Sequence, residues 1–485
     1  MRYRFILFMC GMMTMLFGGL MMFPAFADFL SDDVKNARIF FECAFLILFS
    51  GAIVVFITKQ ETHEKLSPQE MFLTTSSLWL CAAFISAVPL YLSPGCAGFT
   101  DAFFEAMSGL TTTGATTYTH LDTLPKGVLL WRAMTHWIGG VGIVVLAISI
   151  MPTLRIGGLQ LFATENSDKY EKDSPFLVTK IKAILFLYLG ISILCAGLLY
   201  LAGMNGFDAI AHMMSCVSTG GFSTHDTSIA FFNNKTIDWI LIFFMLLSSL
   251  PFMFTLAFIT GKWERVLHDT QVKSYLLMLF FLIAPLAFIM WQTTLFDTFE
   301  DSLRQMAFAV VSLVTTTGFV LDNYTAWGPF FVAFFFFLLA VGGCTGSTSG
   351  GIKMFRFNII FKTLRRHLRM MIMPHAVIIP QYNNKPVTDE VINSVMVFLT
   401  AFILTTVLGT LGVAATGLDL ITALSGTLTS IANVGPGIGS VIGPDRTFAE
   451  IPEMGKWILS LVMMLGRLEF MTVTVLLLPT LWKRT

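Results

Sequence analysis

Long apolar runs separated by short polar segments extend along almost the whole chain. A helix needs roughly 20 apolar residues to cross a bilayer, and ten runs approach or exceed that length, at residues 5–27, 39–57, 71–92, 133–151, 183–203, 239–260, 274–292, 328–341, 391–415 and 457–482. This pattern predicts an all-α polytopic membrane protein. The eighth run leads into a segment with five glycines, 342–351, and such bare backbone is tolerated at membrane depth only where protein or water surrounds it.

The composition agrees with the apolar pattern. Of 485 residues, 55% are hydrophobic and only 12% are charged, which is about half the charged fraction of a soluble globular protein. The composition therefore excludes an ordinary soluble domain and makes membrane lipid the main environment. The net charge of zero gives no indication of a nucleic-acid partner. The first apolar run exceeds the usual core of a secretory signal, so we expect it to remain as a helix.

The basic residues predict how the chain is oriented. With ten spans both termini lie on one side, and the termini and loops of that side carry 21 lysines and arginines, whereas the other side carries eight. Cytoplasmic loops are the ones enriched in these residues. The sequence therefore predicts that both termini are cytoplasmic.

Four connections on the opposite side share one pattern, in which a short semi-apolar helix is followed by a turn with a glycine. The glycines, Gly114, Gly220, Gly318 and Gly435, are separated by 106, 98 and 117 residues, and recurrence at such a spacing indicates internal repeats. We therefore expect four repeats of span, pore helix and span in a pseudo-fourfold arrangement around one pore. The predicted units are an extra two-helix unit at 1–60 and repeats at 61–155, 156–265, 266–375 and 376–485, the third with a broken second span.

The four glycine turns have the chemistry of an ion filter. Backbone carbonyls can replace the hydration shell of a monovalent cation if extended chain is held around one axis, and glycine permits that close approach. Each glycine follows a β-branched residue, which is stiff. The candidate ion-binding residues are Thr112, Thr113, Gly114, Ser218, Thr219, Gly220, Thr316, Thr317, Gly318, Asn433, Val434 and Gly435.

An aspartate stands near the start of each short helix: Asp101, Asp208, Asp301 and Asp419. Aspartate is a preferred N-cap residue because its carboxylate accepts hydrogen bonds from the first helical amides, so we expect these four to be caps. The alternative is that they make the outer mouth negative and concentrate cations there.

Several motifs together resemble the Trk/Ktr/HKT superfamily, and most closely its bacterial Trk-H type potassium uptake subunit. They are residues 110–116 (LTTTGAT), 218–224 (STGGFST), 315–319 (TTTGF), 433–437 (NVGPG), 342–353 and 466–469 (GRLE). The resemblance covers essentially the whole chain. It implies uptake of potassium, bound at the filter residues, across the bacterial inner membrane. It also implies a homodimer, no organic cofactor, and a cytoplasmic nucleotide-binding regulatory subunit of the Trk-A type. Some sodium-preferring plant members have serine at the first filter position, where this chain has Gly114.

The broken span and one arginine are the candidate gate. In the family, the segment equivalent to 342–351 is an intramembrane gating loop, which implies gating by Gly342, Gly343, Gly346, Ser347, Thr348, Gly350 and Gly351. Arg467 lies in the last span, where an ionised side chain costs several kcal/mol (~2.5–3.5) unless it faces the bundle interior. It is either a positive barrier in the pore or an arginine that only holds helices together.

Three alternatives remain open at this stage. The same fold can conduct sodium or couple potassium to another ion. A secondary transporter with broken helices is a second possibility, although it predicts inverted repeats, whereas all four turns here lie on the outer side. A membrane enzyme is the third, but Gly346–Gly350 has no nucleophile motif and no metal-ligand cluster is found, so the sequence predicts no enzyme.

Overall fold

The computed structural model describes residues 3–59, 67–149, 174–261, 269–376, 378–477 and 479. Within these ranges the chain is almost entirely helical, with one two-residue hairpin, β1 (Gln381–Tyr382) and β2 (Lys385–Pro386). The helices are α1 (Tyr3–Leu20), α2 (Met22–Leu30), α3 (Val34–Thr58), α4 (Pro68–Leu92), α5 (Phe99–Leu110), α6 (Lys126–Ser149), α7 (Ser174–Leu201), α8 (Gly206–Val217), α9 (Lys235–Ser249), α10 (Phe252–Ile259), α11 (Thr270–Gln292), α12 (Phe299–Val314), α13 (Pro329–Leu338), α14 (Met354–Ile372), α15 (Asp389–Ala414), α16 (Leu420–Ala432), α17 (Glu453–Arg467) and α18 (Met471–Thr474).

Among the described residues, seven helices are long and apolar enough to span a bilayer. They correspond to seven of the ten predicted runs. The sixth run is instead bent by 104° between α9 and α10, because Pro251 lacks the amide that would continue the helix. The eighth forms only the ten-residue α13 before the glycine segment. The predicted boundaries at 60/61, 155/156 and 265/266 lie outside the described residues.

The last predicted span is also interrupted. Helix α17 ends at Arg467, and the next turn places Glu469 and Phe470 at positive φ values of 56° and 48°. Non-glycine residues rarely adopt this conformation. The tenth predicted run is therefore a broken helix in its described part.

The four short helices α5, α8, α12 and α16 are the pore helices of the four repeats. Each has a nearly fully buried face, and three of them pack against the second span of the preceding repeat: α5 against α17, α8 against α6, and α12 against α9. Repeat 1 therefore contacts repeat 4, which closes the ring. The predicted all-α fold with four repeats in pseudo-fourfold arrangement is confirmed.

The expectation that four aspartates cap the pore helices is right only for Asp419, which accepts from the amides of Ile421 and Thr422. The other three helices begin after Gly98, Asn205 and Thr298. Asp101, Asp208 and Asp301 lie in the first turn and form ion pairs with residues of other elements, such as Lys456 with Asp101 at 2.6 Å. Asp101 and Asp301 thus tie neighbouring repeats together, whereas Asp208 pairs within its own repeat.

The N-terminal helices α1–α3 pack on repeat 1 through apolar side chains and one buried carboxylate. Asp28 is fully buried and accepts from the side-chain amide of Asn36 and from the backbone amide of Gly127, in the first turn of α6. A Cβ at Gly127 would lie 2.1 Å from an Asp28 oxygen. Glycine is therefore required at this contact.

Candidate ion-conduction site

The turns that follow the four pore helices have the same backbone conformation. In each, a residue at positive φ, one residue without a positive φ and a glycine at positive φ follow in order. The first residues are Thr112 (φ 50°), Thr219 (55°), Thr316 (58°) and Asn433 (56°), and the glycines are Gly114 (82°), Gly221 (84°), Gly318 (80°) and Gly435 (107°). Non-glycine residues in this region are strained, and such strain concentrates at functional sites.

A shared hydrogen bond fixes which residues are equivalent. The amide of the middle residue donates to a pore-helix carbonyl five residues earlier, in the pairs Thr113–Ser108, Gly220–Ser215, Thr317–Ser312 and Val434–Thr429, at 2.8–3.0 Å. Gly220 is therefore equivalent to Thr113, and Gly221 is equivalent to Gly114. The predicted register of the second repeat is wrong by one residue.

The glycines and the preceding carbonyls form a closed ring. A Cβ built on each glycine would meet a carbonyl oxygen of the next repeat in cyclic order. The distances from that Cβ are 2.1 Å for Gly114 to Gly220 O, 1.9 Å for Gly221 to Thr317 O, 1.9 Å for Gly318 to Val434 O and 2.7 Å for Gly435 to Thr113 O. A side chain at any of these four positions would have to displace the neighbouring carbonyl. The four repeats thus bring four equivalent carbonyls together at one level, which is the ligand type that binds a dehydrated alkali cation.

The extra glycine of repeat 2 makes room for a histidine. A Cβ on Gly220 would lie 2.4 Å from His136 Nδ1 of α6. This imidazole stacks on Phe222, with ring centroids 4.0 Å apart, and its Nδ1 accepts from the Phe222 amide at 3.4 Å. His136 therefore backs the filter of repeat 2 at the point where the other repeats have a β-branched side chain.

A buried ion pair supports the filter turn of repeat 1. Glu105 of α5 accepts from Arg132 Nε at 2.7 Å and from the amide of Thr117 at 2.9 Å. The same guanidinium donates to the carbonyl of Ser223 at 3.2 Å and lies 4.2 Å from the Phe222 ring centroid. Arg132 and Glu105 therefore join the chain beyond Gly114 to the chain beyond Gly221.

Repeat 2 has a comparable support in His212 and Asp208 of α8. His212 hydrogen-bonds Ser223 Oγ at 2.9 Å, and Asp208 accepts from Thr224 Oγ1 at 2.7 Å. His225 then contacts both Asp208 (3.2 Å) and Asp122 of repeat 1 (2.5 Å). In the outer mouth, burial opposes protonation of His225, but these carboxylates outweigh it and raise the pKa of the imidazole above its usual value.

Repeats 3 and 4 use single hydroxyl groups at this level. Ser312 Oγ donates to the carbonyl of Phe319 at 2.6 Å. Ser425 Oγ donates to the carbonyl of Ile438 at 2.7 Å and accepts from its amide at 3.1 Å.

The glycine segment 342–351 lies directly beneath the ring. Two hydrogen bonds connect it to the filter turns: Gly350 N donates to Thr316 Oγ1 at 2.6 Å, and Thr219 Oγ1 donates to Thr348 Oγ1 at 3.2 Å. Gly342 N bonds the carbonyl of Ile352 at 3.0 Å, so the two ends of the loop lie side by side. We call this segment the intramembrane loop.

The bend between α9 and α10 provides partners for the intramembrane loop. Where the helix breaks, the carbonyls of Ser248 and Ser249 have no helical donor, and they accept from the loop amides of Thr348 (3.4 Å) and Cys344 (3.0 Å). The loop carbonyl of Gly346 accepts from the first amide of α10 at 3.0 Å. The bend therefore satisfies backbone groups that would otherwise be costly in a membrane.

Arg467 lies below the filter and contacts the intramembrane loop. Its side chain is buried, and NH1 donates to the carbonyl of Thr348 at 2.8 Å. Glu469 does not pair with Arg467; it forms an ion pair with Arg356 at 2.6 Å.

Every predicted filter and gating residue thus lies in one central column, except that Gly221 takes the position assigned to Gly220. Sequence reasoning did not assign a role to the residues that support this column: Glu105, Arg132, His136, His212, Lys353 and Arg356. One sequence signal was available for the register, because phenylalanine follows both Gly221 and Gly318. No group of histidine, cysteine and acidic residues suited to a metal occurs in the described part of the chain.

Comparisons with known proteins agree with this architecture. A family profile named TrkH and described as "Cation transport protein" matches residues 35–483. The Trk system potassium uptake protein TrkI of Halomonas elongata is 41% identical over 445 residues, covering 92% of this chain and 90% of the relative. The Trk system potassium uptake protein TrkH of Salmonella typhimurium is 34% identical over the full length of both chains. The crystal structure of the potassium transporter TrkH from Vibrio parahaemolyticus superposes with a TM-score of 0.90 at 33% identity, covering all of both chains.

Proposed function

Because this chain belongs to the TrkH family of cation transport proteins, we propose that it takes up potassium ions through the single pore formed by its four repeats. The observation that carries this proposal is the ring in which each filter glycine contacts the carbonyl of the next repeat. Four equivalent carbonyls at one level can replace the water shell of a potassium ion. The chain is a multi-pass membrane protein, and it transports ions without acting as an enzyme.

The proposed ion-binding residues are the four turns with the corrected register. They are Thr112, Thr113, Gly114, Ser218, Thr219, Gly220, Gly221, Thr316, Thr317, Gly318, Asn433, Val434 and Gly435. The domain division stays as proposed from the sequence, with a two-helix unit at 1–60 and four repeats that begin at about residues 61, 156, 266 and 376.

The proposed gate consists of the intramembrane loop and Arg467. The loop closes the column beneath the filter, and its Thr348 carbonyl holds the guanidinium there. A fixed positive charge below the ring opposes the passage of a cation. Movement of the loop removes both the obstruction and the group that positions the charge.

We also propose where the protein is located and what it assembles with. We place the protein in the bacterial inner membrane with both termini in the cytoplasm, since 21 basic residues lie on that side and eight on the other. Helix α14 carries Arg365, Arg366 and Arg369, and this basic helix suits contact with a cytoplasmic nucleotide-binding subunit of the Trk-A type. The resemblance also favours a homodimer.

Flux into proteoliposomes tests the central claim. Wild-type protein should carry potassium in preference to sodium, and Gly114→Ser should lose most of that preference. Gly114 has a φ of 82°, and a side chain there would meet the Gly220 carbonyl. If the wild type carries no monovalent cation, with or without its regulatory partner, the proposed function is wrong. Equal flux of sodium and potassium in the wild type would instead favour the sodium-conducting alternative.

A further inference from the structure

A small cavity of about 40 Å³ lies beneath the intramembrane loop. Four charged side chains line it: Lys353, Arg356, Arg467 and Glu469, together with loop residues such as Ser347 and Ser349. The three basic side chains are at least nine-tenths buried. Positive charge therefore exceeds negative charge by two among the side chains that line the cavity.

The one carboxylate that lines the cavity is already used. Glu469 pairs with Arg356 at 2.6 Å, and this guanidinium also stacks 3.6 Å from the Phe398 ring centroid. Among the described residues, no carboxylate lies within ion-pair distance of Lys353 or Arg467. Burying charges without counter-charges is costly, so the site has a physical demand for an anion.

The two uncompensated cations lie close together. Arg467 NH1 donates to the carbonyl of Thr348, and Lys353 Nζ donates to the carbonyl of Ser349, which is the next peptide group of the loop. Arg467 Nε is buried without a hydrogen-bond partner among the described residues. Arg467 NH2 also donates to the Gly139 carbonyl of α6 at 3.5 Å. Both positive groups thus depend largely on two adjacent loop carbonyls, and the Arg467 Nε donor remains available.

We propose that this cavity binds one small monovalent inorganic anion, such as chloride, between Lys353 and Arg467. The anion compensates the buried charge only while the loop holds both cations in place, so it stabilises the closed arrangement of the loop. This regulatory effect rests on the proposed function, whereas binding itself does not.

The volume of the cavity selects the size of the anion. A space of 40 Å³ holds on the order of three water molecules, which suits a halide. It excludes a nucleotide or a large organic anion such as gluconate. The Ser347 hydroxyl donates to the carbonyl of Cys344 at 2.6 Å, so its oxygen is an acceptor for Ser349 Oγ at 2.7 Å. The Ser349 hydroxyl hydrogen can turn from Ser347 to a halide.

Thermal unfolding of the purified protein in chloride and in gluconate, at equal sodium concentration, tests binding. A ligand that binds only the folded state raises the unfolding temperature, and we expect a rise of about 3 °C in chloride. Lys353→Gln keeps a donor for the Ser349 carbonyl but removes the charge, and should abolish the rise. The control Lys362→Gln, at an exposed lysine that bonds the Gln381 carbonyl, should retain it. No rise in the wild type, or an undiminished rise in Lys353→Gln, overturns the proposal.

Bromide provides a second measurement that needs no variant. Crystals grown in bromide should give an anomalous peak in the cavity, and its absence there overturns the proposal. In proteoliposomes, cytoplasmic chloride should lower potassium flux of the wild type but not of Lys353→Gln. Bromide in the cavity of a protein that carries no cation would refute the transport function while leaving the anion site intact, whereas chloride-independent flux would refute the regulatory effect.

Discussion

The filter turns of repeats 1 and 2 are supported differently from those of repeats 3 and 4. Nine residues before the positive-φ glycine, the first two repeats have Glu105 and His212, whereas the other two have Ala309 and Gly426. Charged and aromatic groups thus join repeats 1 and 2 around Arg132. In repeats 3 and 4 the hydrogen bonds at this level come from serine hydroxyls, and the Asn433 side-chain amide also donates to Thr113 Oγ1 of repeat 1 at 3.0 Å.

The residues of the proposed gate come mainly from the other two repeats. The intramembrane loop belongs to repeat 3 and Arg467 to repeat 4, although the bent helix of repeat 2 also bonds the loop. Buried charge networks tolerate little rearrangement because each unpaired member is costly. We therefore propose that the first half of the chain fixes the filter, and that the second half provides the part that moves.

The largest expected effect tests the corrected register. Gly221 has a φ of 84°, and Gly221→Ala places a Cβ 1.9 Å from the Thr317 carbonyl oxygen. We therefore expect potassium flux to fall to background. In Gly220→Ala the obstacle is the His136 side chain, so adding His136→Ala should recover part of the flux. The same second substitution should not rescue Gly221→Ala. Normal transport by Gly221→Ala would show that the corrected register is wrong.

The next effect compares the two kinds of support. Arg132→Gln leaves the buried Glu105 carboxylate unpaired, at a cost of roughly 3–5 kcal/mol. Ser312→Ala removes one hydrogen bond, worth about 1 kcal/mol. We expect the potassium-to-sodium flux ratio to fall at least tenfold in Arg132→Gln, since tenfold corresponds to only about 1.4 kcal/mol, and a few-fold in Ser312→Ala.

The double variant Glu105→Gln/Arg132→Gln is the matched control for that comparison. It contains no unpaired charge, so its flux ratio should lie between those of the wild type and Arg132→Gln. Equal ratios in Arg132→Gln and Ser312→Ala would remove the distinction between the two halves.

A smaller effect concerns the gate in the second half. Arg467→Ala removes the charge that opposes cations beneath the ring, so we expect potassium flux to rise several-fold while the potassium-to-sodium ratio stays near the wild-type value. Flux is measured in proteoliposomes with the Arg132→Gln variant alongside, which should show the reverse pattern. Unchanged flux in Arg467→Ala would mean that this arginine only holds helices together.

The smallest effect comes from the outer contact between repeats 1 and 2. The pKa of His225 is raised by Asp208 and Asp122, so its stabilisation is fully present below the ordinary histidine pKa of about 6.5. It is lost as pH rises through the raised pKa. Unfolding temperatures between pH 6 and 9 should show a wild-type advantage over His225→Gln that shrinks as pH rises. An advantage independent of pH would exclude this charge pair as its source.

The sequence predicted the fold well because the fold depends on patterns that recur. Apolar runs and four glycine turns identified the repeats. The register of repeat 2 failed because Gly220 and Gly221 are adjacent and a threonine precedes them, so the recurrence alone does not say which one is equivalent to Gly114. The supporting residues were not predicted for another reason. Glu105, Arg132 and His136 acquire their roles through contacts between distant segments, and nothing in the local sequence distinguishes them.

The contact between Gly220 and His136 has a consequence for how such a pore can change over time. In a channel made of four identical subunits, a substitution that puts a histidine behind the filter is copied to all four positions. All four turns then lose their β-branched side chain as well. Here the four strands are encoded separately. One turn can exchange its stiff residue for a glycine and an imidazole while the other three keep their β-branched residues, so each turn can change independently of the others.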